Sequence, residues 1–220
     1  MVRLVAILLA GSAFAAPALA QDGEFNGLVG SYEADIDGDL EMNGTAVTAR
    51  GRVGGNLEMN GASVDVRADV GGNAVLNGAG IEVEGSIAGS TLANGAGVSF
   101  DGTFGGPVEI NAAGASLAGV YSGPVTLNVG GAELEGRFED TVTVKAEGRE
   151  GWLRRRDTSR VEVSGTLLAG GSICAHEVVF EDGASLGAAL RVEADSRPDL
   201  PAGIDTSLVE YVERRDERCD

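Results

Sequence analysis

Asparagine recurs at Asn26, Asn43, Asn60, Asn77, Asn94, Asn111 and Asn128, each seventeen residues after the last, without a slip over 102 residues (128 − 26). Ordinary globular domains vary their connections from one element to the next, so they do not keep such a beat. A short, unbroken, glycine-rich repeat belongs to a chain wound as a coil, with each revolution consuming seventeen residues.

Counting from the asparagine, apolar residues fall at offset four (Val47, Val64, Ile81, Val98) and at offset ten (Val53, Val70, Ile87, Phe104, Tyr121, Phe138). They fall again at fourteen and sixteen, as in Leu57 with Met59 and Val108 with Ile110, while Glu58, Asp65, Glu82 and Glu109 stand between them. This is period-two alternation, the pattern of strands with one buried face. It predicts an all-β fold, a parallel β-helix or β-solenoid with three short strand segments per turn. Two glycine-rich corners interrupt them: the Asn-Gly step, and pairs such as Gly54-Gly55 and Gly71-Gly72. Seven turns stacked at about 4.8 Å make a rod of about 34 Å. The narrow core of such a rod accounts for an aromatic content of only 5%.

The stacked asparagines predict a ladder in which each side-chain amide bonds the next turn, contributing about 0.5–1.5 kcal/mol net per bond. A sugar-binding row is the alternative use of the same column. Asp, Glu, Lys and Arg give a net charge of −18, a surface that repels nucleic acid and anionic lipid.

Residues 1–20 have the layout of a secretory signal peptide: Arg3, an apolar run from Leu4 to Ala15, and Ala18-Leu19-Ala20 before Gln21. The expectation is therefore a periplasmic or secreted protein with no membrane span after the leader, and a mature charge of 15 − 34 = −19. In that oxidising setting Cys174 and Cys219 are candidates for one disulfide, worth about 3–4 kcal/mol.

The regular turns are expected over 21–148, followed by an Arg-rich loop over 149–160 containing Arg149, Trp152, Arg154, Arg155, Arg156 and Arg160. Arginine and tryptophan are enriched at binding hot spots, which makes this loop the candidate for docking a partner. A basic flap on the acidic flank of its own rod is the other reading. About two less regular turns are expected over 161–195, then an extended linker and a short C-terminal helix over 196–220. The helix reading rests on Ser207-Leu208-Val209-Glu210 as a capping box, with Leu208, Tyr211 and Val212 on one face. Such a helix would serve as a lid on the solenoid end.

The unit Gly51-Arg52-Val53-Gly54-Gly55-Asn56-Leu57, repeated as Ala68-Asp69-Val70-Gly71-Gly72-Asn73-Ala74, resembles the repeat of the bactofilins. The resemblance spans roughly residues 38–145. It implies a right-handed parallel β-helix of triangular section that polymerises end to end without a nucleotide, a cofactor or enzymatic activity. The glycine-rich β-helical head domains of exported adhesins offer a second resemblance.

Catalytic chemistry is not evident in the sequence. The one histidine, His176, sits in no recognisable nucleophile motif, and Asp65, Glu82, Glu133, Glu41, Glu58 and Glu109 are spread along the rod. The expected role is an exported, non-enzymatic scaffold acting by self-association or by docking an envelope protein or polysaccharide. An adhesin-type binding module is the alternative, and a carbohydrate-active β-helix enzyme is a further one.

Overall fold

The computed structural model describes residues 22–148, 159–214 and 219. Among them the chain forms a parallel β-solenoid of about eleven rungs. One sheet stacks eleven strands, from Gly23–Asn26 through Leu40–Asn43 and Leu57–Asn60 to Leu190–Ala194 and Val209–Glu213. The other has twelve, beginning with long strands such as Ala46–Val53, Gly80–Ile87 and Gly97–Phe104. At about 4.8 Å per step the first sheet climbs about 50 Å.

The register repeats the sequence period. Leu40, Met42 and Asn43 stand opposite Leu57, Met59 and Asn60, seventeen residues on. Inward positions are closed to solvent, as at Met42, Met59, Leu76, Ile110 and Leu127, while Glu41, Glu58 and Glu109 between them point outward. Where the register brings larger rings together they stack: Phe104, Tyr121 and Phe138 on successive rungs have centroids 4.8 Å apart. The Tyr121 hydroxyl donates to the Phe100 carbonyl at 3.3 Å. Burial pushes this phenol well above its ordinary range, and Asp101 adds to the effect.

Long strands bend at offset eight, where the sequence keeps a small residue. Gly119 there has φ +92°, and a Cβ on it would lie 2.0 Å from the Gly102 carbonyl oxygen of the rung before. Only glycine lets the two backbones approach so closely in that conformation. At the second corner a Cβ on Gly106 would lie 2.6 Å from the Gly89 oxygen, the same constraint one corner on.

The step changes once by a large amount. Val142 pairs with Gly171 and Gly131 with Arg160, each 29 residues apart, so twelve residues (29 − 17) are inserted between the eighth rung's two strands. The solenoid then resumes, with steps of seventeen from Arg160 to Glu177 and nineteen from Gly171 to Leu190 and Leu190 to Val209. Beyond the insertion the first sheet gains Gly171–Cys174 and Leu190–Ala194, within the range expected for two further turns, and then Val209–Glu213.

The C-terminal helix is corrected. Thr206–Leu208 is a single 3-10 turn, and Val209–Glu213 is a strand paired in parallel with Leu190–Ala194. A helix of so few residues is marginal alone. The bare edge of Leu190–Ala194 instead offers a row of backbone partners, and valine and tyrosine suit a strand. The predicted cap is also displaced: Asp205, not Ser207, is the N-cap, its carboxylate accepting the Ser207 backbone N–H at 2.9 Å. The stretch expected as an extended linker is packed. Ile204 is part of the core and Leu200 lies against it, so this segment packs on the last rungs, and Val209–Glu213 is the end strand of its sheet.

Candidate functional site

The asparagine column is a hydrogen-bonded stack. Asn43 Nδ2 donates to Asn26 Oδ1 at 3.1 Å, Asn60 to Asn43 at 3.0 Å, Asn77 to Asn60 at 2.8 Å and Asn94 to Asn77 at 2.9 Å. Asn111 donates to Asn94 at 3.1 Å and Asn128 to Asn111 at 2.9 Å. The next rung carries Lys145 opposite Asn128, and the column stops there. Because Asn43 has the parity of Glu41, the stack lies on the outer side of the sheet, with a second amide hydrogen going to Glu41 Oε1 at 2.7 Å.

A second ladder, not noticed in the sequence reading, runs along the other glycine corner. The side-chain Oδ1 of Asp22, Asp39, Asn56 and Asn73 each accepts the backbone N–H of the residue seventeen on, at 3.0, 2.6, 2.9 and 2.8 Å. It ends at Ser90, and the next two positions are Pro107 and Pro124, which have no N–H to offer. The signal was present as a column of Asp, Asp, Asn, Asn and Ser at the same period.

Departures from the repeat converge on one corner of the last four rungs. In the corner column that begins with Leu28 and Thr45, these rungs place Ser159, His176, Asp195 and Arg214. The Ser159 hydroxyl accepts the His176 backbone N–H at 2.9 Å, and His176 Nδ1 lies 2.9 Å from Asp195 Oδ2. Arg214 Nε donates to Asp195 Oδ1 at 2.9 Å, with its side chain only 3% exposed. These are the residue types of a hydrolytic triad in a different geometry. Ser159 is 1% exposed and its oxygen faces the main chain. The arrangement ties successive rungs at a corner where the alanines and glycine of earlier rungs need no polar partner.

The disulfide Cys174–Cys219 sits beside this column, with Cα atoms 5.8 Å apart. Cys219 N–H donates to Glu147 Oε1 at 2.9 Å, so the residue next to the C-terminus is held at the root of the insertion. Of the arginine cluster, Arg149, Trp152, Arg154, Arg155 and Arg156 lie outside the described residues. Arg160 belongs not to a loop but to the strand Arg160–Val163, where its guanidinium lies 2.7 Å from Glu162 and 3.5 Å from Glu177.

The two ends of the rod differ. At the N-terminal end Gly23–Asn26 and Val29–Ile36 each pair on one side only among the described residues. Phe25 and Tyr32 are half-buried there and fold over the first rung: a Cβ on Gly30 would overlap the Phe25 ring, and one on Gly23 would meet the Tyr32 hydroxyl at 2.9 Å. Leu28 and Val29 are 80% and 76% exposed on that edge.

One flank of the rod is concave. Over six rungs, from Ser63 to Arg160, the starts of the second sheet's strands form an open groove of about 760 Å³. Gly80, Gly97, Gly114 and Gly131 make its floor and Asp65, Glu82, Glu133 and Glu162 its acidic side. Asp65 is paired with Arg67 at 3.1 Å and holds that guanidinium above its ordinary pKa.

Among the described residues no helix is long and apolar enough to cross a membrane, and no cluster of His, Cys, Asp and Glu is arranged to hold a metal ion. Comparison with known proteins finds no matching family model, no matching curated protein and no matching solved structure.

Proposed function

We propose that this chain is an exported, non-enzymatic scaffold of the cell envelope, bactofilin-like in its working, that self-associates through the N-terminal end of its rod. The observation carrying this reading is the contrast between the ends. Among the described residues both ends carry strands paired on one side only, but the first rung alone sets its two edges beside exposed large apolar side chains, Leu28 and Val29. At the other end Ile204 and Leu200 pack on the core. An unpaired strand edge is a template for further pairing. With the exposed large apolar side chains confined to the first rung among the described residues, the product is a two-fold pair of rods meeting first rung to first rung. The leader-like residues 1–20 support export, and a rod held together by ladders and one disulfide suits an oxidising compartment.

Residues 22–39 contain Asp22, Glu24, Glu33, Asp35, Asp37 and Asp39 and no lysine or arginine. Two such ends repel each other, so association strengthens as salt screens them. Analytical ultracentrifugation of the chain from Gln21 onward is expected to show a dimer that grows with protein and salt concentration. Val29→Lys combined with Ser31→Pro, which charges and breaks the edge, is expected to leave monomers. A wild-type chain that stays monomeric throughout would defeat the reading.

A further inference from the structure

Five of the repeat's asparagines are followed by glycine: Asn26-Gly27, Asn43-Gly44, Asn60-Gly61, Asn77-Gly78 and Asn94-Gly95. Such a step carries its own chemistry. The glycine backbone nitrogen can attack the asparagine side-chain carbonyl carbon, and a residue without a Cβ hinders that approach least. Four of these steps share one environment and the first has another.

At Asn43, Asn60, Asn77 and Asn94 the side chain is held on both sides, donating to the asparagine one rung before and accepting from the one after. These four steps are half-buried. Their glycines are also wedged, since a Cβ on Gly44, Gly61, Gly78 or Gly95 would lie 2.4 to 3.0 Å from a carbonyl oxygen of the preceding rung. Asn26 and Gly27 are exposed, and no rung precedes them among the described residues. Asn26 accepts one ladder bond, from Asn43, and its own amide nitrogen donates within the strand to Glu24. A Cβ on Gly27 would meet first the tip of the Phe25 ring, at 2.8 Å. The Gly27 N–H donates to the Asn43 carbonyl at 3.0 Å, the bond that the other four glycines also make to their next rung. Releasing it in the end strand Gly23–Asn26, paired on one side only, disrupts fewer contacts than releasing it inside the stack.

We infer that Asn26-Gly27 is a self-modification site, and that its product switches off the associating end. The Gly27 nitrogen bonds to Asn26 Cγ, its proton departs with Nδ2 as ammonia, and a succinimide ring results. One water then opens the ring, at the side-chain carbonyl to give aspartate or at the main-chain carbonyl to give isoaspartate. Either product adds a negative charge to an end that already carries Asp22, Glu24 and Asp39. Isoaspartate also lengthens the strand backbone by one carbon, which throws a pairing edge out of register. The switch rests on the end-to-end association proposed above, whereas the modification does not.

The test is incubation of the dilute mature chain, from Gln21 onward, in warm neutral buffer at low salt, where rods stand apart. Fragmentation mass spectrometry then localises the mass gain of deamidation. In the folded chain Asn26 is expected to react about tenfold faster than Asn43, Asn60, Asn77 or Asn94. In denaturant the five are expected to react at similar rates. Gly27→Ala, whose added carbon meets the movable end of Phe25, is expected to slow Asn26 about tenfold and to melt within a few degrees of the wild type. Asn26→Asp is expected to sediment as a monomer under conditions where the wild type pairs. Asn26 reacting no faster than the interior four, a preference for it that persists in denaturant, or a rate unchanged by Gly27→Ala would each overturn the site. Asn26→Asp pairing as the wild type does would overturn the switch. A wild type that never pairs would defeat the association reading and the switch with it, while the mass measurements still decide the site.

Discussion

Single residues in this protein divide sharply by whether the neighbouring rung depends on them. Asn77 both donates to Asn60 and accepts from Asn94, so Asn77→Ala leaves two amides without their partner. It is expected to cost about 1–3 kcal/mol in urea-induced unfolding, and a neutral result would mean that water replaces the ladder without loss. Gly119→Ala is expected to cost about 2–4 kcal/mol, since it combines a left-handed φ with a Cβ 2.0 Å from a carbonyl oxygen. Thr91 runs the other way. It takes an inward place between Ala74 and Val108, is 2% exposed, and its hydroxyl has no partner among the described residues. Thr91→Val keeps the shape and removes the orphaned group, and is expected to raise stability by about 1 kcal/mol in the same assay.

Among the elements, the regular strands were legible because a buried face writes itself into the sequence every second residue. The terminal strand Val209–Glu213 was not. Leu208, Tyr211 and Val212 fit a helical face, while Val209 and Tyr211 are the alternating pair that packs on the core, and Ser207 with Glu210 imitates a capping box. What decides between them is the unpaired edge of Leu190–Ala194, which lies outside any local window. The insertion was visible as a break in register, yet Arg160 belongs to the strand that follows it, paired with Glu177. The disulfide binds the late elements to one another across 45 residues. Cys219→Ser is expected to lower stability by about 4 kcal/mol on the chain-entropy estimate for that separation. Thermal unfolding with and without reductant checks this, since reductant should depress the wild type and leave the variant unmoved.

At the scale of the whole molecule, stability is distributed along the rod, because each rung touches chiefly the rungs beside it. Deleting residues 149–158 leaves the pairing of Gly131–Leu134 with Arg160–Val163 available. The β-rich circular dichroism spectrum and the melting temperature are therefore expected to survive the deletion within a few degrees, whereas loss of folding would make that segment part of the core. The same modularity lets the flank carry a groove: outward positions can change without disturbing the inward ones, as the open space around Gly97 illustrates.

The sequence alone was sufficient for the step of the coil, the direction in which each side chain of a rung faces, and the places where glycine punctuates the turn. Each of these follows from a period, and a period is local information repeated. Only the folded chain decided how the rod ends, that Ser159, His176, Asp195 and Arg214 form one polar seam, and that Gly97 is free where Gly102 is confined. Those facts depend on which backbone lies one rung away and on what space is left beside it, and a one-dimensional repeat does not record the space between its own copies.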